Sequence, residues 1–355
     1  MLGLVLRSNV FPFVITYWGS RGGGLRLARE AILEIAATSN QQILTSIREE
    51  LIHDLIDLYP NRIINYNPVI PISKLAMALN QSKKKKTRRA FKEFLNNSEC
   101  KRVLVVMPHP WDISLSKYLG NQISIYRIIH DLKRHPGDIW PNGHTIRRMK
   151  KDSKLIALSN YTFNLLPKEK TIEASLARLM PSVVPVKPPE MSEKEKGYIL
   201  VVGRNKRYQQ ISQTIDLISS ITTKRIITNT SNAKNFGLNP RVTVIKRWLS
   251  DPELEYLISH AGVVVCLYRE ASQSGVVEQA KYWGAPIMVS NHGALPEQIR
   301  GRSNCYIIDS KDEIDLKKIL ENALFQPKLE LNWNKSQTVI EALRKIYLDF
   351  ENSKN

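Results

Sequence analysis

Two glutamates with seven residues between them stand where the residue types are best suited to chemistry. Glu270 follows the apolar run Val263 to Leu267, and Glu278 lies in the first turn of a segment patterned as a short helix, Gly275 to Trp283. The apolar run predicts a strand that is buried on both faces of a parallel sheet. Ligands bind at the carboxyl ends of such strands, and free N–H groups at a helix N-terminus attract phosphate. The pattern therefore predicts a phosphate-binding site flanked by two carboxylates.

The neighbouring residues define the ends of these elements. Ser274 is suited to cap the helix at its start, and Gly284 is suited to end it. Pro286 to Ser290 is a second apolar run of strand length. Strand, helix and strand together predict a βαβ unit.

The full stretch resembles a known enzyme family. The motif E-x7-E between a buried strand and a helix, followed by G-x-P-x-x-x-S and G-A-L-P-E, resembles the retaining nucleotide-sugar glycosyltransferases of the GT-B fold. The most similar of these is family 4, the group 1 glycosyltransferases. The resemblance implies that Glu270 contacts the transferred sugar, that Glu278 holds the ribose hydroxyls, and that Ser274 and Gly275 border the donor. One departure is Gln273, which stands where the family usually has glycine.

The two glutamates also have a simpler interpretation. Glu270 can be a surface residue after a strand, and Glu278 can complement a helix dipole without binding any ligand.

A second loop is suited to the donor diphosphate. The apolar run Tyr198 to Val202 predicts a strand followed by Gly203 and Arg204. The family has an arginine after this glycine and a lysine five residues later, so Arg204 inherits the role of neutralising the leaving diphosphate. Gln209 occupies the lysine position, and Lys206 or Arg207 is left to substitute for it.

The first half carries weaker signals of the same kind. Gly22 to Gly24 precede a helical pattern, which predicts either a tight turn or a loop whose backbone approaches an anion. The resemblance implies that Gly23 and Gly24 face the donor. It also places His130, at a predicted strand end, over the donor sugar, although a histidine there can be purely structural.

Acceptor-side residues are expected in the loops of this half. The candidates are His109, Asp131 and Arg134. Trp248, in the second half, resembles the family segment that borders the nucleotide base, where it either stacks on the base or packs in the core.

The segment QSKKKKTRRAFKEFL concentrates positive charge. It carries Lys83, Lys84, Lys85, Lys86, Arg88 and Arg89, followed by Phe91, Phe94 and Leu95. A basic cluster beside exposed aromatic residues predicts a segment that lies on an anionic bilayer. A solvated charged loop and a nucleic-acid-binding arm are the alternatives.

Chain length, net charge and cysteine content restrict the classes of function that the protein can have. The 355 residues suffice for two domains, and 52 basic against 33 acidic side chains leave a net charge of +19, which attracts nucleic acid or an anionic membrane. Three cysteines without metal-ligand spacing are typical of a reducing cytoplasm. No apolar run has the length of a membrane span, so we expect a cytoplasmic protein, peripheral at the inner face of the membrane.

The predicted architecture is α/β with the GT-B fold, in which two Rossmann-like domains face each other across a cleft. The proline-rich stretch near residue 190 predicts an interdomain linker. We expect an N-terminal acceptor domain at 1–188, a nucleotide-sugar domain at 189–332, and a C-terminal helix at 333–355 that packs back on the first domain. Residues 43–58 fit a helical pattern and carry no evident chemistry.

The resemblance implies a retaining hexosyltransferase that uses a UDP- or GDP-sugar, with no cofactor and no metal. Its acceptor would be a glycan or a lipid-linked glycan in surface polysaccharide or lipopolysaccharide synthesis, and nucleic acid is not an expected partner. The alternatives are a sugar-nucleotide epimerase or phosphorylase on the same fold, and a non-catalytic basic module that binds nucleic acid.

Overall fold

The computed structural model describes residues 10–20, 23–71, 77, 79–130, 147, 149, 151, 153–166, 171–173, 185–191, 197–203, 206–230, 239–309 and 313–329. These fall into two compact units, with the described residues up to 173 in the first and those from 185 in the second. Residues 185–191 belong to the second unit, so this unit includes residues 185–188, which were expected at the end of the first domain. The predicted C-terminal helix lies outside the described residues.

The first unit alternates strands and helices. Its strands are β1 (Val10–Tyr17), β2 (Gln42–Ile47), β3 (Ile63–Asn65), β4 (Arg102–Val105), β5 (Ser124–Ile129), β6 (Lys154–Ala157) and β7 (Thr171–Glu173). Its helices are α1 (Gly23–Thr38), α2 (His53–Leu58), α3 (Gln81–Asn97), α4 (Leu115–Leu119) and α5 (Asn160–Asn164).

All seven strands pair in parallel in the order β3-β2-β1-β4-β5-β6-β7. Successive strands run outward from β1 in one direction and, from β4, in the other. The order therefore reverses between β1 and β4, which is the ligand-binding position of a doubly wound sheet.

Strand β2 corrects one prediction from the sequence. Residues 43–47 belong to this strand, and the helical structure that follows is a 3-10 turn at Glu49–Leu51 and then α2 from His53. Ile43, Leu44 and Ile47 are buried next to β1, so pairing inside the sheet outweighs the local helical spacing.

The structure of helix α3 corrects a second prediction from the sequence. The prediction that the aromatic residues Phe91 and Phe94 are exposed is wrong, because Phe91 is fully buried, like Leu95, and Phe94 packs against the same core. Phe91 makes an edge-on contact with Trp18, with ring centroids 5.6 Å apart. Burial of these side chains attaches α3 to the sheet, so the apolar face is not available to a bilayer.

The second unit repeats this alternation. Its strands are β8 (Ile199–Val202), β9 (Ile226–Asn229), β10 (Val242–Ile245), β11 (Val263–Cys266), β12 (Ile287–Ser290) and β13 (Cys305–Ile308). Its helices are α6 (Ile211–Ile221), α7 (Asp251–His260), α8 (Gly275–Tyr282), α9 (Leu295–Ile299) and α10 (Glu313–Phe325).

The six strands are parallel in the order β10-β9-β8-β11-β12-β13, which reverses between β8 and β11. The three strands predicted in this unit, β8, β11 and β12, are confirmed, and each is one residue shorter at one end than predicted. Every residue of β11 and β12 is buried, as expected for strands covered on both faces. Burial raises the pKa of the Cys266 thiol in β11 to about 12.

Candidate functional site

The site predicted from the glutamates lies where the second sheet reverses its order. Val263 pairs with Ile199 and Val264 with Leu200, so the segments that follow β8 and β11 leave the sheet at the same edge. Tyr268 connects the strand ends there. Its hydroxyl donates to the carbonyl of Val202 at 3.3 Å, and its own carbonyl accepts a hydrogen bond from the Ser290 hydroxyl at the end of β12.

Helix α8 begins as predicted. The Ser274 hydroxyl accepts a hydrogen bond from the backbone N–H of Val277, and the helix runs from Gly275 to Tyr282. Gly284 has φ +65°, the left-handed conformation that ends a helix. The capped start leaves N–H groups of the first turn at the carboxyl edge of the sheet, where they are suited to an anion.

Glu278 is buried, with 2% of its surface exposed. The Lys281 ammonium lies 3.1 Å from its Oε2, and the side-chain amide of Gln298 donates to its Oε1 at 2.9 Å. The carboxylate is therefore held from two sides in addition to lying in the first helical turn.

Gln298 was not identified from the sequence. It is separated from Glu278 by 20 positions in the chain and lies in α9, next to the motif G-A-L-P-E. Its side chain is 1% exposed and also bonds to both backbone groups of Ser274: its Oε1 accepts from the N–H at 2.9 Å, and its Nε2 donates to the carbonyl at 3.2 Å.

Gly293 joins the loop after β12 to the loop after β11. It has φ +61°, and a Cβ there would lie 2.0 Å from the carbonyl oxygen of Ala271. The N–H of Ala294 donates to that same oxygen at 2.8 Å. Glycine is thus required at this position both by the backbone conformation and by the close approach.

Glu270 lies in the irregular segment between β11 and α8, and its side chain is half-buried. Arg269 beside it is exposed, whereas Ala271 and Ser272 are buried. Glu270 therefore lies near the surface, in the segment that leads from the end of β11 to the start of α8.

The loop after β8 is partly described. Gln209 is buried, and a Cβ on Gly203 would lie 2.9 Å from its amide group, so the residue at the expected lysine position packs on the loop. The Gln209 amide oxygen also accepts from the N–H of Lys206 at 3.3 Å. Lys206 and Arg207 are exposed, and Arg204 lies outside the described residues.

Trp248 has 56% of its surface exposed, which excludes the core position considered for it. Next to it, Arg247 bridges two carboxylates at 2.8 Å, those of Glu190 and Glu253. These hydrogen bonds from Arg247 lower the pKa of Glu253 to about 2 and also lower that of Glu190.

The glycine-rich turn of the first unit is tightly packed at Gly24. A Cβ there would lie 2.6 Å from the Tyr17 ring and 2.9 Å from Cβ of Met107. Tyr17 ends β1 and Met107 follows β4, so Gly24 and its neighbour Gly23 bring the start of α1 to the reversal point of the first sheet.

His109 is buried in the turn that follows β4. Its ring Nδ1 accepts from the backbone N–H of Trp111 at 3.2 Å, and its backbone N–H donates to the Asp112 carboxylate at 2.7 Å. Burial lowers the pKa of His109; the Asp112 carboxylate opposes this shift, and the charges of Lys84 and Arg48 add to it. Asp112 in turn forms a fully buried ion pair with Arg127 of β5.

His130 directly follows β5, at the strand end where it was predicted, and its side chain is half-buried. The acceptor-side candidates Asp131 and Arg134 lie outside the described residues.

The basic residues of α3 differ in their surroundings. Lys83, Lys85, Lys86 and Arg89 are exposed, whereas Lys84 is half-buried. Arg88 donates to the carbonyl of Trp111 at 2.9 Å and to the hydroxyl of Ser114 at 2.8 Å. The Arg88 guanidinium thus holds the turn after β4, and the outward charge belongs to the other residues.

Within the ranges given above, no three His, Cys, Asp or Glu side chains are grouped closely enough to hold a metal ion. The absence of a metal requirement stays a prediction. None of the described helices combines the length and apolar character needed to cross a bilayer.

Solved structures with the same fold cover nearly the whole chain. Sucrose-phosphate synthase from Thermosynechococcus elongatus superposes with a TM-score of 0.66 at 14% identity, over 95% of this chain and 94% of that one. Anabaena HepE in complex with UDP-glucose gives 0.64 at 12%, over 95% and 94%. UDP-GlcNAc 2-epimerase from Methanocaldococcus jannaschii gives 0.59 at 13%, over 96% and 99%. These likenesses establish the GT-B fold.

No curated protein is a significant sequence match to the chain. A family model does match, over residues 186–338, and its description is Glycosyl transferases group 1. The matched range contains β8 to β13 and both glutamates of the site. The part of this GT-B chain that contains both glutamates therefore matches the glycosyl transferases group 1 family.

Proposed function

We propose that the protein transfers a sugar from a nucleotide diphosphate donor to an acceptor hydroxyl, with retention of configuration at the anomeric carbon. The observation that supports this best is the arrangement between β11 and β12. There Glu270, the capped start of α8 and the buried Glu278 lie in one segment at the reversal point of a parallel sheet.

In this proposal Glu278 binds the ribose hydroxyls and the N-terminus of α8 binds the diphosphate. The buried carboxylate is suited to ribose because it can accept hydrogen bonds and is already held in place by Lys281 and Gln298. A UDP-sugar is the favoured donor over a GDP-sugar, since HepE, which shares the fold, is described in complex with UDP-glucose.

The transfer breaks the bond between the anomeric carbon and the diphosphate oxygen. A bond to the acceptor oxygen forms on the same face of the sugar, and the acceptor proton passes to the departing diphosphate. Negative charge grows on that diphosphate, and we assign its stabilisation to Arg204, helped by Lys206, Arg207 and the α8 N-terminus. One such contact contributes about 3 kcal/mol in related oxyanion sites.

Glu270 and His130 act on the sugar in this scheme. Glu270 orients the sugar and stabilises positive charge at the anomeric carbon without a covalent bond, and His130 contacts a sugar hydroxyl. No metal is required, because the cationic side chains and the helix N-terminus neutralise the leaving group.

The acceptor is proposed to be a glycan or lipid-linked glycan in surface polysaccharide synthesis, reached from the inner face of an anionic membrane. The exposed lysines of α3 support the contact with anionic lipid, while its buried aromatic residues do not contribute.

The first test is a thermal-shift screen against UDP, GDP, ADP and their common sugars, with and without Mg²⁺. A rise in Tm with one nucleotide that is independent of Mg²⁺ supports the proposal and names the donor class. The absence of a shift with every nucleotide would contradict it. Proton NMR of the first product, in which the anomeric coupling distinguishes α from β, then decides between retention and inversion.

A sugar-nucleotide epimerase is the second candidate, because UDP-GlcNAc 2-epimerases share this fold. An epimerase converts its substrate with no acceptor present. Incubation of the bound UDP-sugar alone, followed by NMR, distinguishes the two: a new sugar nucleotide indicates epimerisation, and an unchanged one supports transfer.

A further inference from the structure

Gln298 hydrogen-bonds to two parts of the proposed donor site, the Glu278 carboxylate and the backbone of Ser274 at the start of α8. Its amide bonds to the Glu278 carboxylate at 2.9 Å and to both backbone groups of Ser274, the residue that caps α8. With 1% of its surface exposed, Gln298 makes these contacts without competition from bulk water.

The chemistry of these contacts requires a carboxamide. Ser274 N–H needs an acceptor, whereas the Ser274 carbonyl and the Glu278 carboxylate both need donors. A side-chain amide supplies one acceptor oxygen and two N–H donors in a single plane, and all three are used. A glutamate of the same shape would offer no donors and would place a second negative charge beside Glu278.

We propose that Gln298 is a positioning residue for nucleotide recognition, which fixes the ribose-binding carboxylate relative to the phosphate-binding helix start. The inference deepens the proposed function and rests on it. Gln298 itself touches no substrate in this assignment and acts through Glu278.

This role predicts a loss of UDP affinity in the variant Gln298→Met, because methionine keeps the size of the side chain and removes its hydrogen bonds. We expect the affinity for UDP to fall by about tenfold to a hundredfold, as for hydrogen bonds to a charged group. The affinity for 2′-deoxy-UDP and 3′-deoxy-UDP should fall much less, because a displaced Glu278 no longer distinguishes the ribose hydroxyls. In turnover, the donor KM should rise with kcat changed far less.

Two further variants separate positioning from a general loss of structure. Gln298→Glu should bind UDP more weakly than Gln298→Met because of the added charge. Gln279→Met is the matched control, since Gln279 is also buried and lies next to Glu278 in α8. We expect it to retain the discrimination between UDP and its deoxy analogues.

The measurement is calorimetric titration of each variant with UDP and both deoxy analogues, together with Glu278→Gln and the double variant Glu278→Gln/Gln298→Met. If Gln298 acts through Glu278, the double variant binds UDP no more weakly than Glu278→Gln. Additive losses, or full ribose discrimination in Gln298→Met, would overturn the inference. Failure of the wild-type protein to bind any nucleotide would instead contradict the proposed function.

Discussion

Glu270 and Glu278 belong to one motif but have different surroundings, and this difference separates their expected roles. Glu278 is buried and held by Lys281 and Gln298, whereas Glu270 is half-buried in an irregular loop. A fixed carboxylate is suited to binding a constant part of the donor. A carboxylate at the edge of the strand is suited to the reacting sugar.

The variant Glu270→Ala should therefore lose transfer while it still binds nucleotide. We expect kcat to fall by about a hundredfold to a thousandfold, the range for removal of one group that stabilises transition-state charge. The Kd for UDP should be unchanged, because the nucleotide contacts remain.

Initial rates and calorimetry on the same preparation measure both effects. Arg269→Ala, which alters the exposed neighbour, serves as the control and should keep most of its activity. Transfer by Glu270→Ala at the wild-type rate would show that this assignment is incorrect.

Gly293 allows a test of backbone strain inside the site. Gly293→Ala forces an L-residue into φ +61° and places Cβ against the carbonyl of Ala271, so it should lower the free energy of unfolding by more than about 2 kcal/mol. Gly301→Ala is the control, since Gly301 has φ +79° with no atom within 4 Å of the added Cβ, and should cost only about 1 kcal/mol.

Urea denaturation of both variants gives the comparison. Equal losses of stability would mean that the contact with Ala271 contributes nothing beyond the backbone conformation.

Single residues of the site differ in how far the sequence predicts them. Ser274 and Gly284 are evident because capping and chain reversal depend on local backbone chemistry. Lys281 follows Glu278 by three positions in the same helix, a spacing at which opposite charges meet, so the sequence alone could have indicated this pair. Gln298 is not evident, because its contact with Glu278 forms only once α8 and α9 pack together.

Among the elements, α3 shows most clearly what a charge run leaves open. The sequence gives six basic residues near three apolar ones, and only the packed helix shows that Phe91 and Leu95 point into the core. The packed helix also shows that Arg88 hydrogen-bonds to the turn after β4, whereas Lys83, Lys85 and Lys86 are exposed. Local periodicity does not show which side chains are buried when the surface that buries them lies far away in the chain. Strand β2 is a second example, because its pairing with β1 outweighs its helical periodicity.

The outward charge of α3 can be tested separately from its packing. The triple variant with Lys83, Lys85 and Lys86 changed to serine should bind anionic vesicles at least tenfold more weakly, since each lysine near an anionic surface contributes about 1 kcal/mol. Its Tm should hardly change, because these side chains are exposed.

Co-sedimentation with phosphatidylserine vesicles is the measurement. A triple variant with serine at Lys224, Lys317 and Lys318 removes the same charge from exposed positions of the second unit and is the control. Equal weakening in both variants would assign vesicle binding to the overall charge of the protein and not to α3.

At the scale of the molecule, both sheets contain the same order of six strands, with a seventh at the edge of the first sheet, and their parallel α/β architecture was the part most open to prediction. Alternation of apolar strands with helical patterns leads to parallel sheets, because each helix returns the chain to the edge of the sheet at which the previous strand began. The net charge of +19 indicates polyanionic partners without choosing among them.

The response of the whole molecule to acid should depend on the bridge from Arg247 to Glu190 and Glu253. The folded pKa of Glu253 is about 2, below its ordinary 4.5, so its stabilising contribution is complete above pH 4.5 and is lost as the pH falls towards 2. Arg247→Ala should therefore lower Tm at neutral pH. The difference in Tm between this variant and the wild type should shrink as the pH falls from 4.5 towards 2.

Scanning calorimetry between pH 7 and pH 2 measures this difference. Arg300→Ala, which alters another exposed arginine, should show no such window. A difference for Arg247→Ala that stays constant with pH would rule out the linkage.

Burial of the thiols has a practical consequence. Cys100 and Cys266 are buried, and burial raises the pKa of the partly exposed Cys305 to about 11, so almost none of the native thiol is thiolate at neutral pH. A cysteine introduced at the exposed position of Arg269 would react much faster with maleimide than the native ones. A fluorophore could then be attached beside Glu270 in the otherwise unaltered protein, and its emission would report the arrival and departure of the proposed sugar donor in real time.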